Sequence, residues 1–335
     1  MAHFRRRTPS GEPRQSCAAT IAEVSKENIM EVHPLDPDDA AIIAAIRAMS
    51  SAAKGVPPGT EARGQYTALM ESVVPRDDVT FEADTIGGIE GLWILPQGGP
   101  TEKAILHLHG GWFTLGSAQA YRNLVGHIVA RAGARAFIPN YRLAPEHLFP
   151  AATQDASASY EGLAKRNVRR VALTGDSAGG NLALGLASRI AGGDISAGAT
   201  LAGVAVMSPV TDLTLSSPTY NTRADADPFF TRPQVVELVR SYLGNTDPMN
   251  PLASPLHGRL AGMPPVRIDV GDDEILLDDS RRYVENAVGA GVDAKVNVWM
   301  GMPHGFVVSV GKLKAASRAL DAIGAFLKER LAASR

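Results

Sequence analysis

The feature that most constrains the fold is an alternation of short β-rich runs with longer helical patterns, which begins near residue 78. The β-rich runs are almost continuously apolar, as strands are when both faces of their sheet are covered. They read DVTFEAD, GLWILPQ, KAILHLHGG, ARAFIPN, RRVALTG, LAGVAVMSP, PVRIDVGD and AKVNVWM. A Gly-Gly turn separates the first two, which is typical of an antiparallel pair. The sequence therefore predicts an α/β fold with a mostly parallel eight-stranded sheet and helices on both faces.

Helical patterns lie between these runs. They cover residues 118–132, 152–166, 178–191, 276–290 and 312–333. A further helical pattern, FFTRPQVVELVRSYLG, falls outside the main rhythm and predicts a cap insertion at about residues 211–250. Together these patterns define a predicted α/β domain at residues 76–335.

The segment before this domain divides into two parts. Residues 1–30 are polar, basic and small without periodicity, which predicts a disordered leader. Residues 31–75 carry two amphipathic patterns that predict a small cap of N-terminal helices. Asp36 and Pro37 have the residue types of an N-cap followed by the first helical position, so the first helix should begin there.

Composition excludes several classes of protein. The formal net charge of the 335 residues is −2, which gives no reason to expect a nucleic-acid partner. The basic cluster at residues 5–7 precedes no apolar segment, and no run is long enough for a membrane anchor. We therefore expect a cytoplasmic protein. The single cysteine, Cys17, excludes an internal disulfide and a cysteine-based metal cluster.

The stretch LTGDSAGGN places Ser177 between Gly175 and Gly179, directly after an apolar run and before a helical pattern. Glycines at these positions permit a very tight strand-to-helix turn, which would expose the serine hydroxyl above the sheet. On this pattern alone, an ordinary glycine-rich loop is an equally good interpretation. The stretch does not have the spacing of a phosphate-binding loop.

A serine nucleophile needs a base, and the base needs an acid that orients it. In hydrolases of this architecture the chain order is serine, acid, histidine, which leaves His257 and His304 as candidates. His304 follows the last predicted strand, so we expect it to be the base. The acid should follow PVRIDVG, where the sequence alone does not distinguish five carboxyl groups. These are Asp272, Asp273, Glu274, Asp278 and Asp279.

Stabilisation of an oxyanion requires amide donors. Gly110 and Gly111 follow the third predicted strand, and their N–H groups could face the serine together with that of Ala178. His107 and His109 alternate in the same strand and could be interpreted as a metal pair. No further ligands stand out at other strand ends, so we expect no metal and no cofactor.

Five motifs occur in an order that resembles the hormone-sensitive-lipase family of α/β-hydrolases, also called bacterial family IV esterases. The likeness covers roughly residues 75–330. The motifs are HGGWFTLGS, YRLAPEHLFPAA, GDSAGGN, SPVTDLT and MPHGF. The resemblance implies that the domain at residues 76–335 is the catalytic domain of a carboxylic ester hydrolase.

The resemblance also implies roles for particular residues. It identifies Ser177 as nucleophile, His304 as base and Glu274 as the acid, with Asp272 and Asp273 as open alternatives. Trp112 replaces the third glycine of the oxyanion loop, and the N–H groups of Gly111 and Trp112 are the implied working pair.

The implied substrates are small, short-chain esters, with lactones as an alternative. Trp112, Phe229 and Phe230 are expected to limit substrate size. Plant gibberellin receptors resemble the same family but lack the catalytic histidine, so a non-catalytic receptor is the alternative of another class. Members of the family often pair through the edge strand near the carboxyl end, so a homodimer is also an expectation.

Overall fold

The structure is a computed structural model, and it describes residues 29–50, 54–196 and 198–333. The predicted leader at residues 1–30 therefore lies almost entirely outside the described residues. Nine strands form one sheet in the described part of the chain. Their bounds are β1 Met30–His33, β2 Val79–Ile86, β3 Ile89–Pro96, β4 Lys103–Leu108, β5 Arg135–Pro139, β6 Arg170–Asp176, β7 Thr200–Met207, β8 Val266–Gly271 and β9 Ala294–Trp299.

The sheet has the order β1-β9-β8-β7-β6-β4-β5-β3-β2. Strands β2 and β3 are antiparallel to each other, and β3 is antiparallel to β5, while the other neighbouring pairs are parallel. All eight predicted strands are present, and the predicted α/β fold with a mostly parallel sheet is confirmed. The central strands are buried on both faces, which explains why they read as continuous apolar runs.

The ninth strand, β1, was not predicted, and the expected count of eight is corrected to nine. Its four residues, MEVH, alternate in polarity and include two exposed positions, so they lack the apolar run that marks the other strands. Strand β1 pairs in parallel with β9. The strand nearest the carboxyl terminus is therefore not an edge strand, and the edge expected to form a dimer is covered by the chain itself. The homodimer stays a prediction.

Helices cover both faces of the sheet. Their bounds are α1 Pro37–Ser50, α2 Arg63–Glu71, α3 Ala118–Ala132, α4 Ala151–Lys165, α5 Ala178–Gly192, α6 Thr219–Thr222, α7 Arg232–Leu243, α8 Leu277–Gly289 and α9 Lys314–Ala332. Short 3₁₀ helices occur at Thr60–Ala62, Pro255–His257 and Phe306–Ser309. Within the described residues, no helix is both long enough and apolar enough to cross a membrane.

Helix α1, the first helix of the N-terminal segment, is held by hydrogen bonds at its start and on its buried face. Asp36 caps it as predicted, because its Oδ1 accepts the Asp38 N–H at 3.0 Å. Asp39 is buried and accepts the N–H groups of Lys314 and Ala315 at 2.8 and 2.9 Å. Helix α1 thereby satisfies amides at the start of α9 that have no acceptor within their own helix.

The cap insertion contacts the N-terminal segment. Thr231 and Gln234 form a reciprocal capping box at the start of α7. Gln234 Nε2 also donates to the Val56 carbonyl at 2.9 Å, and Lys54 Nζ donates to the Ala224 carbonyl at 2.7 Å. These bonds join the two segments that we predict to form the cap. The boundaries between cap and catalytic domain remain predictions.

The parallel strands bring five loops to one edge of the sheet. These loops follow β4, β6, β7, β8 and β9, and they contain the oxyanion loop, Ser177, Ser208, the acidic cluster and His304. Ligands of open α/β sheets bind at the carboxyl ends of the strands. This edge is therefore the candidate site.

Candidate active site

Ser177 occupies a strained turn between β6 and α5. Its backbone has φ 53° and ψ −120°, a left-handed conformation that costs a non-glycine residue about 1–3 kcal/mol. A Cβ at Gly179 would overlap the carbonyl oxygen of Leu108, so only glycine allows the helix to start this close to β4. The Ser177 N–H donates to the Met207 carbonyl at 2.9 Å, which ties the turn to the neighbouring strand. This is the geometry predicted for LTGDSAGGN.

A buried carboxylate and a histidine form a pair at the same end of the sheet as this turn. His304 Nδ1 lies 2.8 Å from Glu274 Oε2, and Glu274 is fully buried. The other carboxylate oxygen, Oε1, accepts the hydroxyl of Ser208 at 2.7 Å and the N–H of Gly271 at 2.6 Å. Both oxygens therefore have partners, and the carboxylate is held in one orientation.

The two alternative acids have other partners. Asp273 forms an ion pair with Arg47 of α1. Asp272 accepts the N–H of Gly301 and lies 3.9 Å from Arg223. Of the three carboxyl groups that the resemblance left open, the structure brings Glu274 to His304.

The pKa of His304 is raised above its ordinary value of 6.5. Burial, the largest single cause, lowers the pKa, but the hydrogen bond and charge of Glu274 together with the charges of Asp227 and Asp176 outweigh it. Asp176 directly precedes Ser177, so the imidazole lies within electrostatic range of the strained turn at Ser177, here called the elbow.

The Gly110 N–H already has acceptors in the protein, which differs from the prediction that it faces an oxyanion. Its N–H donates to Asp176 Oδ1 at 3.0 Å and to the Tyr121 hydroxyl at 3.1 Å, so it is not free to bind an oxyanion. A Cβ at this position would overlap the Asp176 carboxylate. The prediction of Gly110 as an oxyanion donor is therefore wrong, because the glycine permits contact with the elbow rather than with substrate.

The Trp112 N–H has a fixed direction and no acceptor among the described residues. Gly111 and Trp112 both have positive φ, 111° and 52°. The Gly111 carbonyl accepts the N–H groups of Thr114 and Leu115 at 3.0 and 2.9 Å. In a trans peptide the N–H points opposite to the C=O, so these bonds also orient the Trp112 N–H.

The Gly111 N–H is oriented in the same way and also lacks an acceptor within the described part of the chain. Its peptide carbonyl, that of Gly110, lies 2.9 Å from His109 Nδ1. His109 stacks on Tyr141 at 4.2 Å, and the Tyr141 hydroxyl donates to the His109 carbonyl at 2.6 Å. Burial lowers the pKa of His109 to about 4, so the ring is neutral at pH 7. Its role here is to hold the loop.

Ala178 and His107 are the two remaining predicted residues near the oxyanion loop. Ala178 is the first residue of α5, where N–H groups have no acceptor within the helix. His107, the second member of the possible metal pair, lies with Nδ1 2.8 Å from Thr174 Oγ1 and has a pKa lowered to about 3 by burial. Within the described residues, no group of three or more His, Cys, Asp and Glu side chains could hold a metal ion.

The three aromatic residues predicted to limit substrate size form a wall over the site. Phe230 meets Trp112 edge-on at 5.6 Å between ring centroids and meets His304 at 5.2 Å. Phe229 contacts Phe230 at 6.4 Å. Buried Asp227 holds this wall, because its Oδ1 accepts the N–H groups of Phe229 and Phe230 at 2.8 and 2.9 Å.

Sequence reasoning missed Ser208 and Asp227. Ser208 has φ 45° and contacts Glu274. It is the first residue of the SPVTDLT motif, and that motif could have indicated it. Asp227 Oδ2 accepts the Ile275 N–H at 3.0 Å, which joins the cap insertion to the acid loop. Its signal was an aspartate before Pro228 and the two phenylalanines, a pattern typical of a side chain that accepts backbone N–H groups in a turn.

Comparison with known proteins gives one consistent class. The α/β hydrolase fold family matches residues 105–308. An acetyl-hydrolase of Streptomyces hygroscopicus is 37% identical over 260 residues, which cover 76% of this chain and 83% of that protein. An esterase of Acinetobacter venetianus is 33% identical, covering 72% and 79%. A solved esterase of the bacterial hormone-sensitive lipase family superposes with a TM-score of 0.81 at 33% identity, covering 88% and 99%.

The fold and the loops at this sheet edge define an α/β-hydrolase. The chain belongs to that family and, within it, to the bacterial hormone-sensitive-lipase group. It is a carboxylic ester hydrolase.

Proposed function

We propose that the chain is a serine carboxylesterase that hydrolyses short-chain esters through a Ser177–His304–Glu274 triad. The hydrogen bond of 2.8 Å between His304 and buried Glu274, at the sheet end that also carries the strained turn at Ser177, is the observation that carries this proposal. A carboxylate on Nδ1 fixes the tautomer in which Nε2 is free to accept the serine proton.

The reaction has two halves. Ser177 Oγ attacks the ester carbonyl carbon while His304 Nε2 takes the hydroxyl proton, and the alcohol then leaves with that proton. Water attacks the resulting acyl-enzyme, His304 again takes a proton, and the acid leaves as Ser177 Oγ is reprotonated. Glu274 stabilises the imidazolium in both halves without taking the proton.

The oxyanion of each tetrahedral intermediate would lie against three backbone N–H groups. These belong to Gly111, Trp112 and Ala178. The first two are oriented by bonded carbonyls and have no other acceptor within the described residues. Preorganised donors of this kind are each worth about 10²–10³ in turnover.

The acyl preference rests on the aromatic wall. Trp112 is 4% exposed and contacts Phe230, which in turn contacts His304. Because these rings lie close to His304, we expect them to admit only a small acyl group beside the triad. A similar protein carries the name acetyl-hydrolase, which fits such a site.

We expect Trp112→Gly to widen the acyl preference. The positive φ of 52° suits glycine, and loss of the indole opens space beside the elbow without disturbing the backbone. The ratio of kcat/KM for p-nitrophenyl octanoate to that for the acetate should rise about tenfold, since one methylene in a pocket is worth about 1–3 kcal/mol. An unchanged ratio in a folded variant would remove Trp112 from this role.

We expect the acidic limb of the kcat/KM profile to lie above pH 6.5. The base must be neutral, and because the pKa of His304 is raised, the base becomes protonated at a higher pH than free histidine does. The carboxylates that favour the protonated ring are Glu274, Asp227 and Asp176. Asp227→Asn should therefore move the limb to lower pH. A limb below pH 6 in the wild type would contradict this electrostatic account.

Hydrolysis of a substrate panel tests the proposed function. Purified protein should cleave p-nitrophenyl acetate and butyrate faster than the octanoate, and Ser177→Ala should cleave each of them at a rate lower by about 10⁴-fold or more. A panel of γ- and δ-lactones belongs in the same assay. Faster turnover of lactones than of any ester would replace the proposed substrate class, and no turnover at all would favour a receptor. The cytoplasmic location and the homodimer remain predictions.

A further inference from the structure

Helix α2 of the N-terminal segment reaches the oxyanion loop through Arg63. Its Nε donates to the Thr114 carbonyl at 2.9 Å, and its Nη2 donates to the Ala144 carbonyl at 3.1 Å. The same guanidinium forms a two-bond contact with Glu146 at 2.8 and 2.7 Å. Arg63 therefore binds both the oxyanion loop at Thr114 and the loop at Ala144. Neither loop carries a side chain of the proposed triad.

The Thr114 carbonyl leads to the Trp112 N–H through two peptide units. Thr114 C=O and Leu115 N–H belong to one peptide, and that N–H donates to the Gly111 carbonyl at 2.9 Å. The Gly111 C=O that accepts this bond belongs to a second peptide, and the N–H of that peptide is the Trp112 N–H. Because each peptide is planar, fixing the Thr114 carbonyl helps to fix the direction of the Trp112 N–H.

Tyr66 lies three residues after Arg63 on the same helix and reaches the other side of the loop. Its hydroxyl lies 2.7 Å from that of Tyr121. Tyr121 uses its single proton on Asp176 Oδ2 at 2.9 Å and accepts the Gly110 N–H, so Tyr66 must be the donor to Tyr121. This chain of hydrogen bonds ends on the residue that precedes Ser177.

We propose that α2 is a positioning element of the oxyanion hole, with Arg63 and Tyr66 as its positioning residues. The inference rests on the proposed function, because the hole acts only if Ser177 forms a tetrahedral intermediate. Neither side chain touches the reacting atoms. Arg63 aligns the Trp112 N–H through the Thr114 carbonyl, and Tyr66 supports the Tyr121–Asp176–Gly110 contact beneath the loop.

The experiment compares Arg63→Ala with the matched control Glu146→Ala. The control removes the exposed ion pair but leaves Arg63 able to donate to the two carbonyls. Each variant is measured for kcat and KM with p-nitrophenyl acetate, for Tm, and for inhibition by phenylboronic acid. The boronic acid forms a tetrahedral adduct with a serine oxygen, so its affinity reports on the oxyanion hole.

Arg63→Ala should lower kcat about tenfold and weaken boronic acid inhibition by the same factor, with KM within about twofold. Glu146→Ala should change neither quantity by more than about twofold. Tyr66→Phe, which keeps the ring, should lower kcat about threefold with the same pattern, as loss of one neutral hydrogen bond predicts. It tests the inference if Arg63→Ala does not fold.

Three results would overturn the inference. Arg63→Ala and Glu146→Ala could lose activity equally, so that the ion pair alone matters. KM could rise while boronic acid inhibition stays unchanged, so that α2 shapes the substrate pocket. Folded Arg63→Ala and Tyr66→Phe could both keep the wild-type kcat. Failure of the proposed function gives a different result, since the wild type itself would then hydrolyse no ester.

Discussion

Ser177→Ala is expected to lower kcat for p-nitrophenyl acetate by about 10⁴-fold or more, because removal of a triad nucleophile leaves only binding and the oxyanion hole. The substitution adds no strain. Alanine and serine both carry a Cβ, so both meet the same cost at φ 53°. The variant should therefore unfold at a Tm close to that of the wild type. Steady-state kinetics and a thermal scan on the same preparation check both statements.

A serine on the helix that follows Ser177 provides the control. Ser188 is buried in α5, and its hydroxyl donates to the Arg259 carbonyl at 2.7 Å, away from the candidate site. Ser188→Ala should lose a little stability and keep its kcat within about twofold. Turnover at the wild-type rate in Ser177→Ala would mean that another group performs the attack.

Glu274→Gln is expected to lower kcat by about 10³- to 10⁴-fold with little change in KM. Glutamine has the same shape, and its amide oxygen can still accept from Ser208 and Gly271. The amide NH₂ would then face His304 Nδ1 as a donor. It would favour the tautomer whose Nε2 carries the proton and cannot act as a base. The uncharged amide also fails to stabilise the imidazolium.

The neighbouring aspartates serve as matched controls for this variant. Asp273→Asn weakens an ion pair with Arg47, and Asp272→Asn alters a contact with the Gly301 amide, so each should lower kcat by less than about tenfold. The loss in Glu274→Gln should exceed theirs by at least about 10²-fold. A larger loss in either asparagine variant than in Glu274→Gln would assign the acid to that aspartate instead.

The sheet was predictable because its strands are apolar on both faces and follow one another with helices between them. Strand β1 was not, since Met30–His33 is short and half exposed and depends on pairing with β9, more than 250 residues away in the chain. Its existence depends on tertiary contact rather than on local pattern.

The tight turn at Ser177 was predictable, because glycines at this spacing are what such a turn requires. Gly110 shows what a loop glycine does not predict. A glycine in a loop indicates close approach of another group, but it does not say whether that group is substrate or, as here, the Asp176 carboxylate. Arg63 and Tyr66 show a second limit. Both are ordinary helix residues, and their roles arise only because α2 lies beside the oxyanion loop.

Mapping the site of covalent labelling by a fluorophosphonate tests the central claim most directly, since such a reagent reacts with an activated serine and mimics the tetrahedral intermediate. We predict one equivalent of label, located by mass spectrometry of tryptic peptides at Ser177, with loss of esterase activity in proportion to labelling. Complete loss of activity with Ser177 unlabelled, or with the label on a different residue, would contradict the account.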